Sequence, residues 1–362
     1  MNTPQRLTRR DVLKLGLTAA GAWLLAPWLR RVPQVTFPQA ERLGRNATHG
    51  RIEVYPRPDA TATPVDYLFE DAVVPWLREV VGYQPYRISQ RFVDIGRGYV
   101  WAPYLQPVRN LPNTPLTELP RYGEEPGFWA EVTVPYVDIY QDNPPPRSPW
   151  LKDTPYPRLY YSQIMWVDGV KTDEQGRVWY HVTERYGSYG DTFWALAEAF
   201  RPLTPDDLQP ISPEVTDKRI VVDVTYQTVA CYEGKTEVYF CRVSTGAKYD
   251  AYGRPTDEWA TPIGASPIWR KLVSVHMSGG TTGGGYDLPG IGWTMLFVGE
   301  GVALHSTFWH NNFGVPMSHG CVNLRPDDAL WIFRWSQPVV AYDPGDKTVG
   351  MPGGTLVQVI EA

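Results

Sequence analysis

Proline is the residue type that most constrains how this chain can fold. The 362 residues include 35 prolines, about twice the share of an average protein, and proline interrupts both helices and central strands. Between the prolines lie short runs of aromatic and β-branched residues, which favour strands. The sequence therefore predicts a mainly β protein with short strands, turns and extended connections instead of a helical bundle.

Length and charge narrow the possible functions. A chain of this length is expected to form two or three domains, and its 43% of hydrophobic residues is sufficient for buried cores. The formal net charge is −5, whereas nucleic-acid binding requires a basic face for the phosphates. We therefore expect no nucleic acid among the partners.

The N-terminus is typical of an export signal. Arg9 and Arg10 precede a short uncharged run that is followed by small residues. The arginine pair resembles a twin-arginine signal, which a receptor reads. The uncharged run is short for a membrane span, which argues against a retained anchor. If the signal were retained, it would be the protein's only contact with a membrane. We predict that residues 1–46 are a signal and linker and that the protein is extracytoplasmic.

Two stretches look like a divergent internal repeat. Residues 47–110 and 128–205 both contain closely spaced strand-like runs. Each stretch also has a Trp-Ala pair near its C-terminal end, starting at Trp101 in the first and at Trp194 in the second. Such spacing favours small closed barrels, and each stretch resembles a bacterial Src-homology-3-like module. The sequence leaves open whether these modules bind a ligand or serve as spacers.

A proline-rich linker at residues 206–216 separates these modules from a third domain, residues 217–362. Residues 219–230 alternate apolar with polar side chains, which predicts a half-buried strand. Residues 326–335 begin with proline and two acidic residues, which favours a helix.

Two of the three cysteines flank a predicted hairpin. A two-residue turn at residues 233–234 would place Cys231 opposite Thr236 and Cys241 opposite Tyr226. The two thiols would then lie too far apart to form a disulfide. We therefore predict that both are buried free cysteines.

The third cysteine, Cys321, lies in the most informative part of the chain. It ends the string Ser-His-Gly-Cys, and His305 ends a hydrophobic run sixteen residues before it. A thiol becomes a nucleophile when a base removes its proton, and a neutral imidazole suits that task. We predict that Cys321 is the nucleophile and His305 is its base.

The residues just before Cys321 are expected to stabilise a negatively charged oxygen during reaction. Gly320 permits close approach of the backbone to a substrate carbonyl. The successive amides of His319, Gly320 and Cys321 are suited to form an oxyanion hole.

Two upstream segments, Val-Ser-Thr-Gly at residues 243–246 and Thr-Pro-Ile-Gly at residues 261–264, precede this string. Together, in this order, the pieces resemble the YkuD-type catalytic domain of the L,D-transpeptidases. The resemblance covers about two-fifths of the chain. It implies a β-sandwich-like catalytic domain with one or two short helices, which acts on peptidoglycan stem peptides in the cell wall or periplasm. It implies neither a metal nor a cofactor.

The resemblance also implies roles for individual residues. The backbone carbonyl of Ser306 would hold the far ring nitrogen of His305 and fix its tautomer. Ser318 and Asn323 would bind the stem peptide. Asn323 stands where many relatives have arginine, so the resemblance leaves open which stem peptide this chain prefers.

Other readings of these residues are weaker. A zinc site from histidines 305, 310 and 319 with Cys321 fits by ligand type, but the loop-like spacing opposes it, and we expect His310 to face solvent or pack on Trp309. The glycine-rich residues 278–286 lack the Lys-Ser/Thr of a phosphate-binding loop. Their position favours a mobile lid.

Three functions remain open. The first is a transpeptidase that forms 3→3 cross-links through a thioester and releases terminal D-alanine. The second is an L,D-carboxypeptidase that uses the same thioester, with water as acceptor. The third is a wall-binding scaffold with an inert cysteine. A papain-like peptidase is disfavoured because its cysteine precedes its histidine in the chain.

Overall fold

The computed structural model describes residues 36–152, 154, 156–249, 253–279, 286–299 and 301–362. The predicted export signal lies outside these residues. From Pro38 to Ala362 the chain forms one compact unit. Among the described residues, no helix has the length and apolar character needed to cross a membrane.

The prediction of a mainly β protein is confirmed. The described residues form many short strands, two short α-helices and three 3₁₀ turns, the last at Ala102–Tyr104, Ala197–Ala199 and Pro205–Leu208. Strands of three to six residues predominate, as expected for a chain in which proline repeatedly removes a backbone donor.

The first eight strands, termed the first β segment, build three small sheets. The strands are β1 (Leu43–Asn46), β2 (Ile52–Val54), β3 (Asp66–Leu68), β4 (Val73–Pro75), β5 (Arg78–Val81), β6 (Arg91–Asp94), β7 (Tyr99–Trp101) and β8 (Leu105–Val108). The sheet orders are β4-β1-β8, β2-β3 and β5-β6-β7. Val54, Trp76 and Leu105 belong to the buried core of this segment.

The next seven strands, termed the second β segment, form one sheet. They are β9 (Phe128–Val132), β10 (Tyr136–Gln141), β11 (Arg158–Tyr160), β12 (Ile164–Thr172), β13 (Val178–Thr183), β14 (Phe193–Leu196) and β15 (Phe200–Pro202), with helix α1 (Pro149–Lys152) after β10. The sheet order is β11-β10-β14-β13-β12-β9-β15. Tyr180 packs edge-on against Phe128, with ring centroids 5.2 Å apart.

The two segments share one local structure at their C-terminal ends. In each, a strand containing the tryptophan of the Trp-Ala pair leads into a 3₁₀ turn and then directly into a final strand. The residues that precede the turns, Trp101 and Leu196, have nearly the same backbone angles, with φ −64° in both. This agrees with the predicted internal repeat, while the Src-homology-3-like nature of both segments stays a prediction.

The remaining strands form two five-stranded sheets. They are β16 (Lys218–Asp223), β17 (Thr228–Glu233), β18 (Thr236–Arg242), β19 (Gly264–Pro267), β20 (Arg270–Gly279), β21 (Tyr286–Val298), β22 (Val302–Ser306), β23 (Val322–Leu324), β24 (Asp346–Thr348) and β25 (Leu356–Ile360). The orders are β18-β17-β16-β25-β19 and β23-β22-β21-β20-β24. Helix α2 (Pro326–Trp335) has the predicted bounds and packs on β21 and β22.

Two sequence predictions fail in the first of these sheets. Residues 219–230 form two strands, not one, because the Asp223 side chain accepts the N–H groups of Thr225 and Tyr226 and turns the chain. Alternation continues through this turn, so periodicity alone does not reveal it.

The predicted hairpin register is also wrong. The turn lies at Gly234, which has φ 58°, and Lys235, and an irregularity follows Cys231. Cys231 therefore lies opposite Tyr239, and Cys241 opposite Val229. Both cysteines are nevertheless buried free thiols, as predicted.

Buried lysines cap the C-terminal end of α2. Lys271 Nζ donates to the carbonyls of Phe333 and Ser336 at 2.5 and 2.7 Å, and Lys218 Nζ donates to that of Trp335 at 2.7 Å. Burial lowers the pKa of Lys271. The last carbonyls of a helix lack internal partners and carry partial negative charge, so these contacts anchor the helix that packs on β21 and β22.

The second β segment also contacts the hairpin formed by β20 and β21. Ser274 donates to the carbonyl of Ile164 at 2.6 Å. The imidazole of His276 lies between the carboxylates of Glu184, 2.7 Å away, and Asp287. Hydrogen bonds to these carboxylates outweigh burial and raise the pKa of His276. The imidazole of His276, held between two carboxylates, therefore ties this hairpin to the second β segment.

Candidate active site

The pairing of β22 with β23 brings the predicted nucleophile and base close together. The two strands are parallel, with Leu304 opposite Val322 and His305 opposite Asn323. Cys321 immediately precedes β23 and lies two residues before Asn323, the partner of His305. The register therefore places Cys321 beside β22, offset from His305 by two residues.

The backbone around Cys321 has a conformation that requires glycine. Gly320 has φ 113°, a region that residues with a side chain rarely adopt. The Ser318 hydroxyl donates to the carbonyl of Cys321 at 2.5 Å and accepts the Gly320 N–H at 3.2 Å. Ser318 therefore closes a tight loop around Cys321.

The Ser-Thr-Gly segment lies alongside this loop and holds it. The carbonyl of Thr245 accepts the N–H groups of Met317 and Ser318, and Ala247 donates back to Ser318 at 2.8 Å. A Cβ atom on Gly246 would lie 1.9 Å from the carbonyl oxygen of Trp259. Glycine is therefore needed for the two segments to approach this closely.

Thr261, from the Thr-Pro-Ile-Gly segment, links both motifs to the loop. Its buried hydroxyl accepts the N–H of Gly246 at 2.9 Å and donates to the carbonyl of Gly320 at 2.8 Å. The second bond fixes the peptide that joins Gly320 to Cys321. Thr261 was not among the predicted site residues, and its place in the Thr-Pro-Ile-Gly motif is the sequence signal that could have found it.

His305 is held as the resemblance implies. Nδ1 donates to the carbonyl of Ser306 at 2.9 Å, which leaves the lone pair on Nε2. The ring is 2% exposed, and burial lowers its pKa to about 4. The imidazole is therefore neutral near pH 7 and able to accept a proton.

The Cys321 thiol is also neutral. It is partly buried and donates to the carbonyl of Gly301, with Sγ and O 3.3 Å apart. Burial raises its pKa to about 11, against a smaller opposing effect of the Ala303 N–H. The structure thus contains a neutral thiol and a neutral imidazole, and the thiol proton points at a backbone carbonyl.

Residues 217–359 match the family model of the L,D-transpeptidase catalytic domain, named YkuD. The C-terminal region is thus similar to an L,D-transpeptidase catalytic domain. The probable L,D-transpeptidase YbiS of Escherichia coli K12 is 26% identical over 166 residues, which cover 42% of this chain and 48% of that protein. The chain thus spans about half the length of the curated relatives it matches.

Solved structures of similar proteins include the catalytic domain of the Enterococcus faecium L,D-transpeptidase. It is 23% identical, with a TM-score of 0.29, over 40% of this chain and 97% of that one. An L,D-transpeptidase from Mycobacterium smegmatis is 18% identical, with a TM-score of 0.31, over 62% of this chain and 99% of that one.

In this C-terminal region, His319 contributes an aromatic surface next to Cys321. Its ring lies 4.6 Å from that of Trp259 and 5.4 Å from that of Tyr286. Burial raises the pKa of Tyr286, and the nearby Cys321 adds to this effect. Neither Trp259 nor Tyr286 was among the predicted site residues, because each becomes a neighbour of His319 only through the fold.

Asn323 and His310 form a buried pair. The Asn323 amide lies 2.9 Å from Nε2 of His310, whose Nδ1 accepts the N–H of Asn312 at 3.1 Å. The ring of His310 is buried and packs edge-on against Trp309, with ring centroids 6.1 Å apart. Of the two expectations for His310, packing on Trp309 is therefore right and solvent exposure is wrong.

The structure thus gathers the predicted residues into one site, but two groups that were expected to face the substrate are already engaged within the protein. The Gly320 N–H is engaged by Ser318, and Asn323 is only 1% exposed. The predicted lid joins β20 to β21, and its residues 280–285 are not among those described. In the described part of the chain, no group of three or more His, Cys, Asp or Glu side chains is placed to hold a metal ion.

Replacing Thr261 with valine should loosen the Cys321 loop. The variant keeps the shape of the side chain but leaves the Gly246 N–H and the Gly320 carbonyl without their partner. An unsatisfied buried polar group costs about 1–3 kcal/mol. We expect a loss of that order in the free energy of unfolding, measured by urea denaturation, together with slower acylation of Cys321 by a carbapenem. Thr261→Ser, which retains the hydroxyl, should change both measurements far less. Equal behaviour of the two variants would contradict the assigned role of the hydroxyl.

Proposed function

We propose that this protein is an exported peptidoglycan L,D-transpeptidase that forms 3→3 cross-links through a thioester on Cys321. The observation that carries the proposal is the tightly held Ser-His-Gly-Cys loop beside His305, whose neutral ring is oriented by the Ser306 carbonyl. A neutral base next to a thiol nucleophile is the arrangement that acyl transfer requires.

Acylation would begin with a change of partner for the thiol. Cys321 leaves the Gly301 carbonyl and turns toward Nε2 of His305, which takes its proton. Sγ attacks the carbonyl that joins the third stem residue to terminal D-alanine. When the tetrahedral intermediate collapses, the D-alanine nitrogen takes the proton from His305 and leaves. The stem is then bound to Cys321 as a thioester.

Resolution would use the same groups in the reverse order. An amine from a neighbouring stem attacks the thioester carbonyl and gives a proton to His305. Sγ leaves as the thiol after recovering that proton, and a 3→3 cross-link remains. The proton that leaves with D-alanine is replaced by one from the acceptor amine, so His305 and Cys321 end as they began and the proposed cycle needs neither a metal nor a cofactor.

Backbone amides would stabilise the oxyanion in both steps. The amides of Cys321 and His319 are the better candidates, because the Gly320 N–H already donates to Ser318. A shift of the Ser318 hydroxyl on substrate binding would release the Gly320 amide as a further donor. Ser318 would then contact the stem peptide, as the resemblance implies.

Hydrolysis by the same thioester is the main alternative. Water in place of the acceptor amine would make the enzyme an L,D-carboxypeptidase. A wall-binding scaffold with an inert thiol is less well supported, because a scaffold gives no reason for a buried, neutral histidine with a fixed tautomer beside Cys321. In either case the two β segments would contact wall polymer or act as spacers.

Incubation with a disaccharide-tetrapeptide, followed by mass spectrometry, tests the proposed reaction. We expect a cross-linked dimer together with released D-alanine. Cys321→Ala should abolish both products and remain folded, because one small side chain contributes little stability. Cys231→Ala, which removes a buried thiol outside the site, should retain the activity. A trimmed tripeptide without dimer would indicate a carboxypeptidase, and turnover by Cys321→Ala would contradict the proposal.

The pH dependence of acylation tests the role of His305. With pKa values of about 4 for His305 and about 11 for Cys321, both groups stay neutral between pH 5 and 9 on this account. Wild-type acylation by a carbapenem should therefore vary little over that range. His305→Ala should be slower at pH 7 by a factor on the order of 10² to 10⁴. Its rate should then rise about tenfold per pH unit as thiolate forms.

The exposed His49 offers the control for this experiment. Its side chain is fully exposed, and His49→Ala should follow the wild-type profile. If His305→Ala lost the same factor at every pH, His305 would not be the base.

A further inference from the structure

The loop that follows His305 is held by the first β segment, which contains none of the predicted site residues. Asn311 donates its N–H to the carbonyl of Pro103 at 3.2 Å, and Arg91 donates to the carbonyl of Asn311 at 3.2 Å. Arg45 donates through Nη2 to the carbonyl of Phe308 at 3.0 Å. Three contacts from one segment thus fix a few residues of the active-site loop.

Among the residues of the first β segment that contact this loop, Arg45 has the most extensive set of partners. Its side chain is 4% exposed. Nε donates to Gln106 at 2.9 Å, and Nη1 donates to Asp71 at 2.7 Å. The guanidinium also lies 4.0 Å from the ring centroid of Tyr160. Arg45 on β1 therefore uses one planar group to join its own segment to the loop.

The second β segment completes this junction. Asp71 accepts a second ion pair, from Arg158 at 2.9 Å. The ring of Tyr160 stacks on that of Phe308, with centroids 5.8 Å apart and planes 19° from parallel. Phe308 is thus held through its carbonyl by Arg45 and through its ring by Tyr160.

Stability alone is a weak reason for such an arrangement. Removing an arginine and an aspartate from water is costly, and a well-packed apolar group of similar size would often serve equally well. What the charged group adds is direction, because three fixed N–H donors each require one acceptor position. One of those acceptors is the Phe308 carbonyl.

The loop connects that carbonyl to the catalytic histidine. Ser306, which holds Nδ1 of His305, lies two residues before Phe308. Trp309, the residue after Phe308, lies 5.8 Å from the ring of His305. A displaced Phe308 would therefore move both the hydrogen-bond acceptor and the aromatic neighbour of His305.

We propose that Arg45 is a positioning residue for the reaction, which acts through the Phe308 carbonyl on the orientation of His305. The proposal rests on the function assigned above, in which His305 is the base. It gives the first β segment a part in catalysis that does not depend on binding wall polymer.

Arg45→Lys tests this proposal in the full-length protein. Lysine keeps the charge and can still meet Asp71, but it cannot reach Gln106, Asp71 and Phe308 together. We expect acylation by a carbapenem to slow by a factor on the order of ten or more at pH 7, since small displacements of catalytic groups have large effects on rate. The deficit should shrink as the pH rises, because thiolate reacts without the base.

Arg201→Lys is the matched control. Arg201 also joins two carboxylates, Glu131 at 2.9 Å and Asp207 at 2.7 Å, but within the second β segment and its adjoining turn. Its substitution should lower the denaturation temperature and leave acylation within twofold of wild type. If Arg45→Lys does not fold, Asp71→Asn, which removes the charge that orients Arg45, should give the same pH-dependent deficit in milder form.

The outcomes separate this proposal from the function on which it rests. If Arg45→Lys, or Asp71→Asn in its place, acylates like wild type, or loses the same factor at every pH, Arg45 is structural and the proposal is overturned. The function itself fails if wild-type Cys321 is not acylated, or if His305→Ala is as fast as wild type. A slow Arg45→Lys that resembles His305→Ala in its pH profile supports the proposal.

Discussion

Three backbone pairs between the parallel strands β22 and β23 fix the spacing of His305 and Cys321, and the other features of the site depend on them. A shift by one residue would turn one of the two side chains to the other face of the sheet. Ser244, from the Ser-Thr-Gly segment, exchanges two hydrogen bonds with Asn323 and so adds a third chain segment to this pair. Thr261 then fixes the peptide before Cys321. The two upstream motifs thus belong to the site because they hold the loop that contains Cys321.

Burial gives the site its protonation state. Both the thiol and the imidazole are neutral near pH 7, because removal from water disfavours each charged form. A neutral thiol is a poor target for oxidation, which suits an enzyme that would work outside the cytoplasm. Reactivity then requires a base at the right angle, and this makes the orientation of His305 important. The Ser306 carbonyl, Trp309 and, through Phe308, Arg45 determine that orientation.

The sequence was sufficient to predict the mainly β fold and helix α2. The pairing of β22 with β23 brings the Ser-His-Gly-Cys string next to the upstream histidine, while the roles of these residues in a reaction stay predictions. Local turns were harder to predict from the sequence. The Asp223 turn interrupts a pattern whose alternation continues, and an irregularity after Cys231 changes the hairpin register. Long-range partners left no sequence signal: Arg45 and Phe308 are 263 positions apart, and the ring of Trp259 meets His319 only after folding. Local pattern identifies groups that react, whereas groups that position them through tertiary contacts become visible only in the fold.

The central claim, that Cys321 is the nucleophile of an acyl-transfer enzyme, can be tested most directly by intact-protein mass spectrometry after exposure to a carbapenem, with peptide mapping of the adduct. The account predicts a single adduct on the peptide that contains Cys321, although Cys231 and Cys241 are also free thiols. These two are buried away from the site, and burial raises the pKa of each. The Cys321→Ala protein should remain unmodified. An adduct on another residue, or a folded wild-type protein that stays unmodified, would contradict the account.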